Sequence, residues 1–377
     1  MKLEESMKKN KKKKKLNSAT IFSAIIGGIF GFFIVYYMEH TTEWHVFGWN
    51  DIIFLSFALV ACLLHIIIHE AGHLVCGLLS GYQFASFRIG SFMWIKEDEK
   101  IKCKRFSLAG TGGQCLMSPP DLVDGKIPYV LYNLGGSLAN IVIAVISFGL
   151  YFLLKESWVL STFFIIVALL GVVFALLNGI PMKSKMVNND GYNALSLGKD
   201  KDALRAFWIQ MKANEQITKG KRLREMPEEW FNVPTDEQMN NSMVAVLGVF
   251  ACNRLMDEHK FQEADALMER FVEMDSSIVE IHKNLLICDR IYCELISENR
   301  KQKVEEMYNA DLKKFMKAMK NYPSVIRTQY VYVLLCERNQ EQAKKLKEQF
   351  EKVARNYPYP SDAQAERELM GIAEERV

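Results

Sequence analysis

The 377-residue chain contains little proline and glycine and carries almost no net charge. Nine prolines and 22 glycines are too few for a collagen-like or a disordered chain. Eight cysteines spread over this length do not make the dense framework of a small disulfide-bonded scaffold. Nothing beyond a lysine-rich segment in residues 1–17 suggests binding to nucleic acid, and a membrane anchor explains that segment, so we predict no nucleic-acid partner.

Charged side chains are missing from long parts of the sequence. Residues 127–182 contain only Lys155 and Glu156, whereas residues 199–377 contain 29 basic and 31 acidic residues. In residues 1–17, eight lysines against two glutamates leave a charge of +6. We interpret this lysine-rich segment as the cytoplasmic flank of a membrane anchor.

Four stretches are apolar and long enough to cross a bilayer of about 30 Å as helices. The predicted spans are 18–38, 52–80, 127–154 and 157–182. A cleaved signal peptide is the alternative for the first span, but no small-residue cleavage site follows it. The positive-inside rule then predicts a multi-pass protein of the cell membrane with both termini in the cytoplasm.

Short strands are predicted between the second and third spans. Apolar residues in the segment 82–104 are separated by Gly90 and a polar turn, which predicts a β-hairpin. The segment 110–120 then contains three glycines and two prolines, so we expect no regular structure there.

Beyond Asp200, apolar residues recur at helical spacing with dense charge between them. Helical pairs are predicted at 238–274, 278–321 and 324–356. The tripeptide Asn-Tyr-Pro occurs twice, 35 residues apart, which resembles a tetratricopeptide-type repeat. An irregular helical bundle is the alternative.

The expected fold class is therefore an all-α polytopic membrane protein with a small β-hairpin insertion and a C-terminal helical domain. We predict three parts: the cytoplasmic segment 1–17, a transmembrane domain at 18–198, and a cytoplasmic helical-repeat-like domain at 199–377.

The second span contains the sequence His69-Glu70-Ala71-Gly72-His73. In a helix, His69 and His73 lie one turn apart on the same face, so both can bind one metal ion while Glu70 accepts a proton from water. Ionisable side chains inside a membrane are costly unless they are buried, paired or bound to metal. We therefore favour a functional metal site over a chance match.

A catalytic zinc site needs a third protein ligand. Asp190 follows the fourth span, on the same side of the membrane as His69, and a simple turn residue is the alternative for it. His65, one turn before His69, is the rival ligand. We interpret His65 as facing an internal cavity or as a hydrogen-bonded packing residue.

Three motifs in this order resemble the site-2 protease family of intramembrane zinc metalloproteases. They are H-E-x-x-H in one membrane helix, Gly136-x-x-x-Asn140, and Asn178-x-x-Pro181 followed by Asp190-Gly191. The resemblance covers roughly residues 52–195. It implies that His69, His73 and Asp190 bind Zn²⁺ and that Glu70 is the general base. It also implies that Asn140 and Asn178 contact the substrate or the oxyanion. Because twelve positions separate Asn178 from Asp190, more than is usual in the family, the loop between them must fold back.

The family resemblance implies an intramembrane zinc endopeptidase. It would cleave membrane-anchored proteins or signal-peptide remnants near the cytoplasmic face, with the 82–104 strands guiding an unwound substrate. The expected partners are this membrane substrate, the lipid bilayer and a cytoplasmic protein bound by the helical domain. A non-catalytic membrane scaffold, whose helical array docks a cytoplasmic partner, is the alternative function.

Overall fold

The computed structural model describes residues 49–97, 100–106, 111–183 and 188–377, together with Gly27, Gly28 and Gly31. The lysine-rich segment and, apart from these glycines, the first predicted span lie outside the described residues. The chain divides into two compact units, the first formed by residues 1–65 and 140–192 and the second by residues 66–139 and 193–377.

Three helices in the described part of the chain are long and apolar enough to cross a membrane. They are α1 (Trp49–Leu79), α2 (Tyr129–Leu153) and α3 (Trp158–Gly179). They lie at the second, third and fourth predicted spans. The helix α3 ends two residues before Pro181, whose ring cannot continue a helix and restricts the residue before it.

In the first unit, α1 and α3 pack through apolar side chains. Phe54 and Ala61 of α1 form a buried cluster with Ile166, Val167 and Leu170 of α3. Many large apolar side chains elsewhere on these helices are exposed. Such exposed apolar surface is typical of helices that face lipid.

The segment after α1 forms a four-stranded antiparallel sheet in the order β3-β2-β1-β4. Its strands are β1 (Gln83–Ile89), β2 (Phe92–Glu97), β3 (Lys100–Arg105) and β4 (Gly113–Ser118). The predicted hairpin is thus extended by a third strand within 82–104 and by β4 beyond it.

The prediction of no regular structure in 110–120 is wrong, because β4 pairs with the edge of β1 that β2 leaves open. The pairing runs from Gln83 opposite Ser118 to Ile89 opposite Gly113. Cys115 and Met117 are buried while Leu116 is only half-buried, an alternation typical of a strand with one covered face. The fold is therefore mostly helical with a small sheet, rather than helical with a single hairpin.

Helices make up most of the remaining described chain. They are α4 (Asp190–Ser196), α5 (Lys201–Thr218), α6 (Ser242–Asp257), α7 (Phe261–Glu273), α8 (Glu280–Ile296), α9 (Lys301–Met307), α10 (Ala310–Ala318), α11 (Pro323–Val331), α12 (Gln340–Ala354) and α13 (Pro360–Glu374). Each predicted helical pair corresponds to two or three of them. Their common core includes Phe271, Leu286, Ile291, Val325 and Phe350.

Within the second unit, the sheet and the C-terminal helices are in contact. The Trp208 indole N–H of α5 donates to the Pro120 carbonyl oxygen at 2.9 Å, and the Ser118 hydroxyl donates to the Glu215 carboxylate. Phe106, which follows β3, contacts the rings of Tyr322 and Tyr357. The helical region is therefore built onto the sheet in this unit.

Candidate active site

His69 and His73 face each other on α1, as the spacing predicts. Their Nε2 atoms lie 3.2 Å apart and both side chains are buried. The Nδ1 atom of His73 lies 2.8 Å from the Tyr132 carbonyl oxygen, which can only accept, so Nδ1 donates and, in the neutral ring, Nε2 carries the lone pair that a metal ion would need. Two nitrogen ligands of a tetrahedral zinc ion, each at about 2.0–2.1 Å, lie about 3.3 Å apart. The imidazole pair therefore fits zinc.

Glycines let α2 approach this histidine pair. A Cβ atom at Gly136 would lie 2.5 Å from both Cε1 and Nδ1 of the His69 ring. A Cβ atom at Gly72 would lie 2.3 Å from the Gly135 carbonyl oxygen. The contact with the His69 ring explains why glycine occupies position 136, since any side chain there would displace that ring.

The carboxyl group of Glu70 lies against the beginning of β4. A Cβ atom at Gly113 would lie 2.6 Å from Oε1 of Glu70, and Glu70 itself is half-buried. The predicted general base is therefore next to the backbone of an edge strand. The sequence prediction missed β4. Its signal was the uncharged run 114–118 after Gly112 and Gly113, because glycine in a strand often marks a place where another group approaches the backbone closely.

A buried arginine, which the sequence prediction also missed, holds this end of β4. Arg88 of β1 is 1% exposed, and its guanidinium donates to the carbonyl oxygens of Gly90 at 2.8 Å and Gly113 at 3.2 Å. It also donates to the Thr111 hydroxyl at 2.5 Å. The sequence signal for a buried arginine was a charged residue between Phe87 and Ile89 in a predicted strand.

Asp190 is the first residue of α4 and is half-buried. Asn189, the residue directly before it, lies against the end of α3. The side-chain amide of Asn189 donates to the Leu177 carbonyl oxygen at 2.9 Å and accepts from the Met182 backbone N–H at 2.9 Å. These hydrogen bonds therefore fix Asn189 directly before Asp190, a role that sequence reasoning did not identify.

His69 and His73 each offer an imidazole nitrogen and Asp190 offers a carboxylate oxygen, and that the three bind one metal ion stays a prediction. Zinc accepts these atom types, and three protein ligands are the usual number for a catalytic zinc ion. The donor set is thus suited to zinc.

His65, Asn140 and Asn178 are polar residues of the first unit, and each makes a hydrogen bond within it. The His65 ring contacts the Asn140 side-chain amide at 3.1 Å through Nδ1 and the Val167 carbonyl oxygen at 2.8 Å through Nε2. His65 is thus a hydrogen-bonded packing residue, the second of the two interpretations given above. The amide of Asn178 donates to the Phe174 carbonyl oxygen at 2.9 Å. Substrate or oxyanion contacts of Asn140 and Asn178 stay predictions.

Comparison with known proteins identifies the family. The model of peptidase family M50 matches residues 57–325, which is more than two thirds of the chain and includes the H-E-x-x-H, Gly136-x-x-x-Asn140 and Asn178-x-x-Pro181 motifs and Asp190-Gly191. Neither the curated proteins nor the solved structures contain a match to the chain. The sequence therefore belongs to peptidase family M50, the site-2 protease family of intramembrane metalloproteases.

Proposed function

We propose that this protein is a zinc-dependent intramembrane endopeptidase that cuts membrane-anchored proteins or signal-peptide remnants near the cytoplasmic face. The observation that carries the proposal is the pair of Nε2 atoms of His69 and His73, 3.2 Å apart on a helix apolar enough to span a membrane, with Glu70 between them in sequence. In a bilayer such a polar cluster is costly unless it serves a function.

His69, His73 and Asp190 are the proposed zinc ligands. Tyr132 supports this assignment for His73, because its carbonyl oxygen fixes the ring tautomer that leaves Nε2 for the metal. The Asn189 hydrogen bonds support it for Asp190, because they hold the neighbouring residue in place. A bound zinc ion would lower the pKa of a water molecule from near 16 to about 7 and would polarise the scissile carbonyl group.

Glu70 is the proposed general base. Its carboxylate would take a proton from the attacking water molecule and pass it to the amine that leaves. Gly113 supports this role, because its missing side chain leaves room for the carboxyl group beside the β4 backbone. We assign Asn140 and Asn178 to contacts with the substrate or with the oxyanion.

The substrate must be unwound before it can be cut, because the hydrogen bonds of a transmembrane helix occupy its carbonyl groups. The strand β4 lies at the edge of the sheet, and its first residue, Gly113, lies beside the Glu70 carboxyl group. An extended substrate segment added to a sheet edge would present its backbone in order along that strand. This extends the substrate-guiding role expected of the 82–104 strands to β4.

The test uses Glu70→Gln in the full-length protein, purified in detergent and also co-expressed with a single-span substrate. We expect zinc content to stay stoichiometric while cleavage is lost, because the amide cannot accept the proton. Glu156→Gln is the matched control, since Glu156 is exposed in the turn between α2 and α3. Undiminished cleavage by Glu70→Gln would refute the proposal.

Metal analysis of two further variants tests the ligands. His69→Ala and Asp190→Ala should both lose zinc; loss only in His69→Ala would keep the metalloprotein and remove Asp190 from the ligand set. A protein without stoichiometric metal, whose only sensitive region is 199–377, would instead support the non-catalytic scaffold.

A further inference from the structure

The C-terminal helices line a partly open cavity of about 290 Å³ that the proposed peptidase mechanism does not use. Its walls come from α6, α8, α11 and α13, from the end of α5 and from the segment that follows it. Apolar side chains such as Phe250, Leu285 and Leu369 form part of the wall, and Tyr322 and Tyr357 form another part. A partly apolar cavity with a few converging polar groups is the usual form of a small binding site.

The charged groups in the wall are predominantly acidic. Four carboxylates line the cavity against two guanidinium groups. The carboxylates belong to Asp257, Asp289, Asp362 and Glu366, and the guanidinium groups belong to Arg222 and Arg327. The cavity therefore has an excess of negative charge.

Both arginines are already engaged by carboxylates. Arg327 donates to Glu366 at 2.8 Å and to Asp289. Arg222 donates to Asp257 at 2.7 Å and to Glu368 at 3.0 Å. Because these pairs satisfy the guanidinium groups, an anionic ligand would have to break existing ion pairs, whereas a cationic ligand would not.

The Asp362 carboxylate and the Tyr322 hydroxyl are among the polar groups of the wall that lack a partner in the described ranges. The carboxylate of Asp362 makes no hydrogen bond or ion pair with the described residues, and burial, together with the nearby carboxylates of Glu366 and Asp257, raises the pKa of Asp362 to about 7. The Tyr322 hydroxyl is buried and likewise has no hydrogen-bond partner in the described ranges. A ligand with several N–H donors could satisfy both groups, and the tyrosine faces suit a cation.

We propose that this cavity binds an organic cation, a primary ammonium or guanidinium group on an apolar stem, of the size of one lysine or arginine side chain. Asp362 supplies the counter-charge, Tyr322 accepts a hydrogen bond through its hydroxyl oxygen, and the apolar wall receives the stem. The cation comes from a basic side chain of a peptide or from a free amine. Because Tyr322 and Tyr357 also contact Phe106 at the end of β3, the site borders the sheet.

The experiment is isothermal titration calorimetry on the full-length protein in detergent. The probes are the capped peptide Ala-Ala-Lys-Ala-Ala, its norleucine counterpart with an uncharged side chain of similar length, and n-butylamine. We expect the lysine peptide to bind at least about tenfold more tightly than the norleucine peptide, since a hydrogen bond to a charged group contributes roughly 1.5–3 kcal/mol. Binding of n-butylamine as tight as that of the lysine peptide would identify a free amine as the source.

Asp362→Asn is the decisive variant, because it keeps the size of the side chain and removes one of several like charges. It should weaken binding of the lysine peptide about tenfold. Asp311→Asn, at an exposed aspartate of α10 outside the cavity, should leave binding unchanged. Tyr322→Phe should weaken it to a smaller degree. Equal affinity for the lysine and norleucine peptides, equal behaviour of the two Asn variants, or no binding of any cationic probe would overturn the proposal.

Discussion

Replacing Gly136 by alanine should disable the proposed metal site through one methyl group. The added Cβ atom would lie 2.5 Å from Cε1 and Nδ1 of the His69 ring and 2.7 Å from its Nε2 atom. Ordinary contacts between such atoms are about 3.5 Å or longer. The methyl group therefore overlaps the ring over much of its edge, and either the ring or α2 has to move by about 1 Å.

The size of the effect follows from that displacement. A ring shift of about 1 Å moves Nε2 away from the position that it shares with His73, and a misplacement of this size costs on the order of 100-fold in rate. Metal affinity should fall as well, because a ligand tolerates only a few tenths of an ångström of error in its bond length. We expect the zinc content of the purified variant to drop well below one ion per chain, with little cleavage left.

Gly149→Ala, in the same helix, is the matched control. A Cβ atom at Gly149 meets no atom of the described chain within 4 Å. Alanine in a helix interior is about 0.5–1 kcal/mol more favourable than glycine, so this variant should keep its zinc and activity and unfold at the same or a higher temperature.

The assay is metal analysis by mass spectrometry, together with cleavage of a co-expressed single-span substrate and a thermal unfolding curve in detergent. Full zinc content and full cleavage in Gly136→Ala would refute the reasoning, because they would mean that the His69 ring does not need the space seen beside Gly136. Equal losses in both glycine variants would show a general effect on α2 instead.

Three further predictions concern other parts of the described structure. Gly113→Ala should retain zinc but lose most cleavage in the same assays, because its Cβ atom would lie 2.6 Å from Oε1 of Glu70; unchanged turnover would contradict it. Asn189→Ala should weaken zinc binding about 10–100-fold in a chelator competition, since it frees the residue before the proposed aspartate ligand; unchanged affinity would argue against that restraint. Glu294 is 2% exposed, and its hydrogen bonds with Arg300 lower the pKa of Glu294 from its usual value of about 4.5 to about 2. Because the folded-state pKa lies below the unfolded one, the stabilisation is present at neutral pH and is lost as pH falls from about 5 to 2, so Glu294→Gln should lower stability by about 2 kcal/mol at pH 7 and by less near pH 3; an equal loss at both pH values in thermal unfolding would contradict it.

Local spacing was enough to predict the helices and the histidine pair. A run of apolar residues that spans a bilayer has few alternatives to a helix, because its backbone must satisfy its own hydrogen bonds there. His69 and His73 are four residues apart, so the helix alone brings them to one face. The helical pairs beyond Asp200 followed from the same periodicity.

The sheet depended on pairing, which local sequence does not specify. The segment Gly113–Ser118 has few residues that favour strands, and its glycine and proline neighbours indicate a loop. It becomes a strand because β1 has an open edge beside it. Propensity is a weak guide wherever a tertiary partner supplies the hydrogen bonds.

The sequence by itself thus determined most of the helical segments and the placing of His69 and His73 on one helix face, because both depend on neighbours within a few positions. The tertiary structure alone decided which groups surround that chemistry. It brought Gly136 to the His69 ring, Gly113 to Glu70 and Asn189 to the end of α3. These contacts join parts of the chain up to several dozen residues apart, and close packing selects them in a way that no local pattern records.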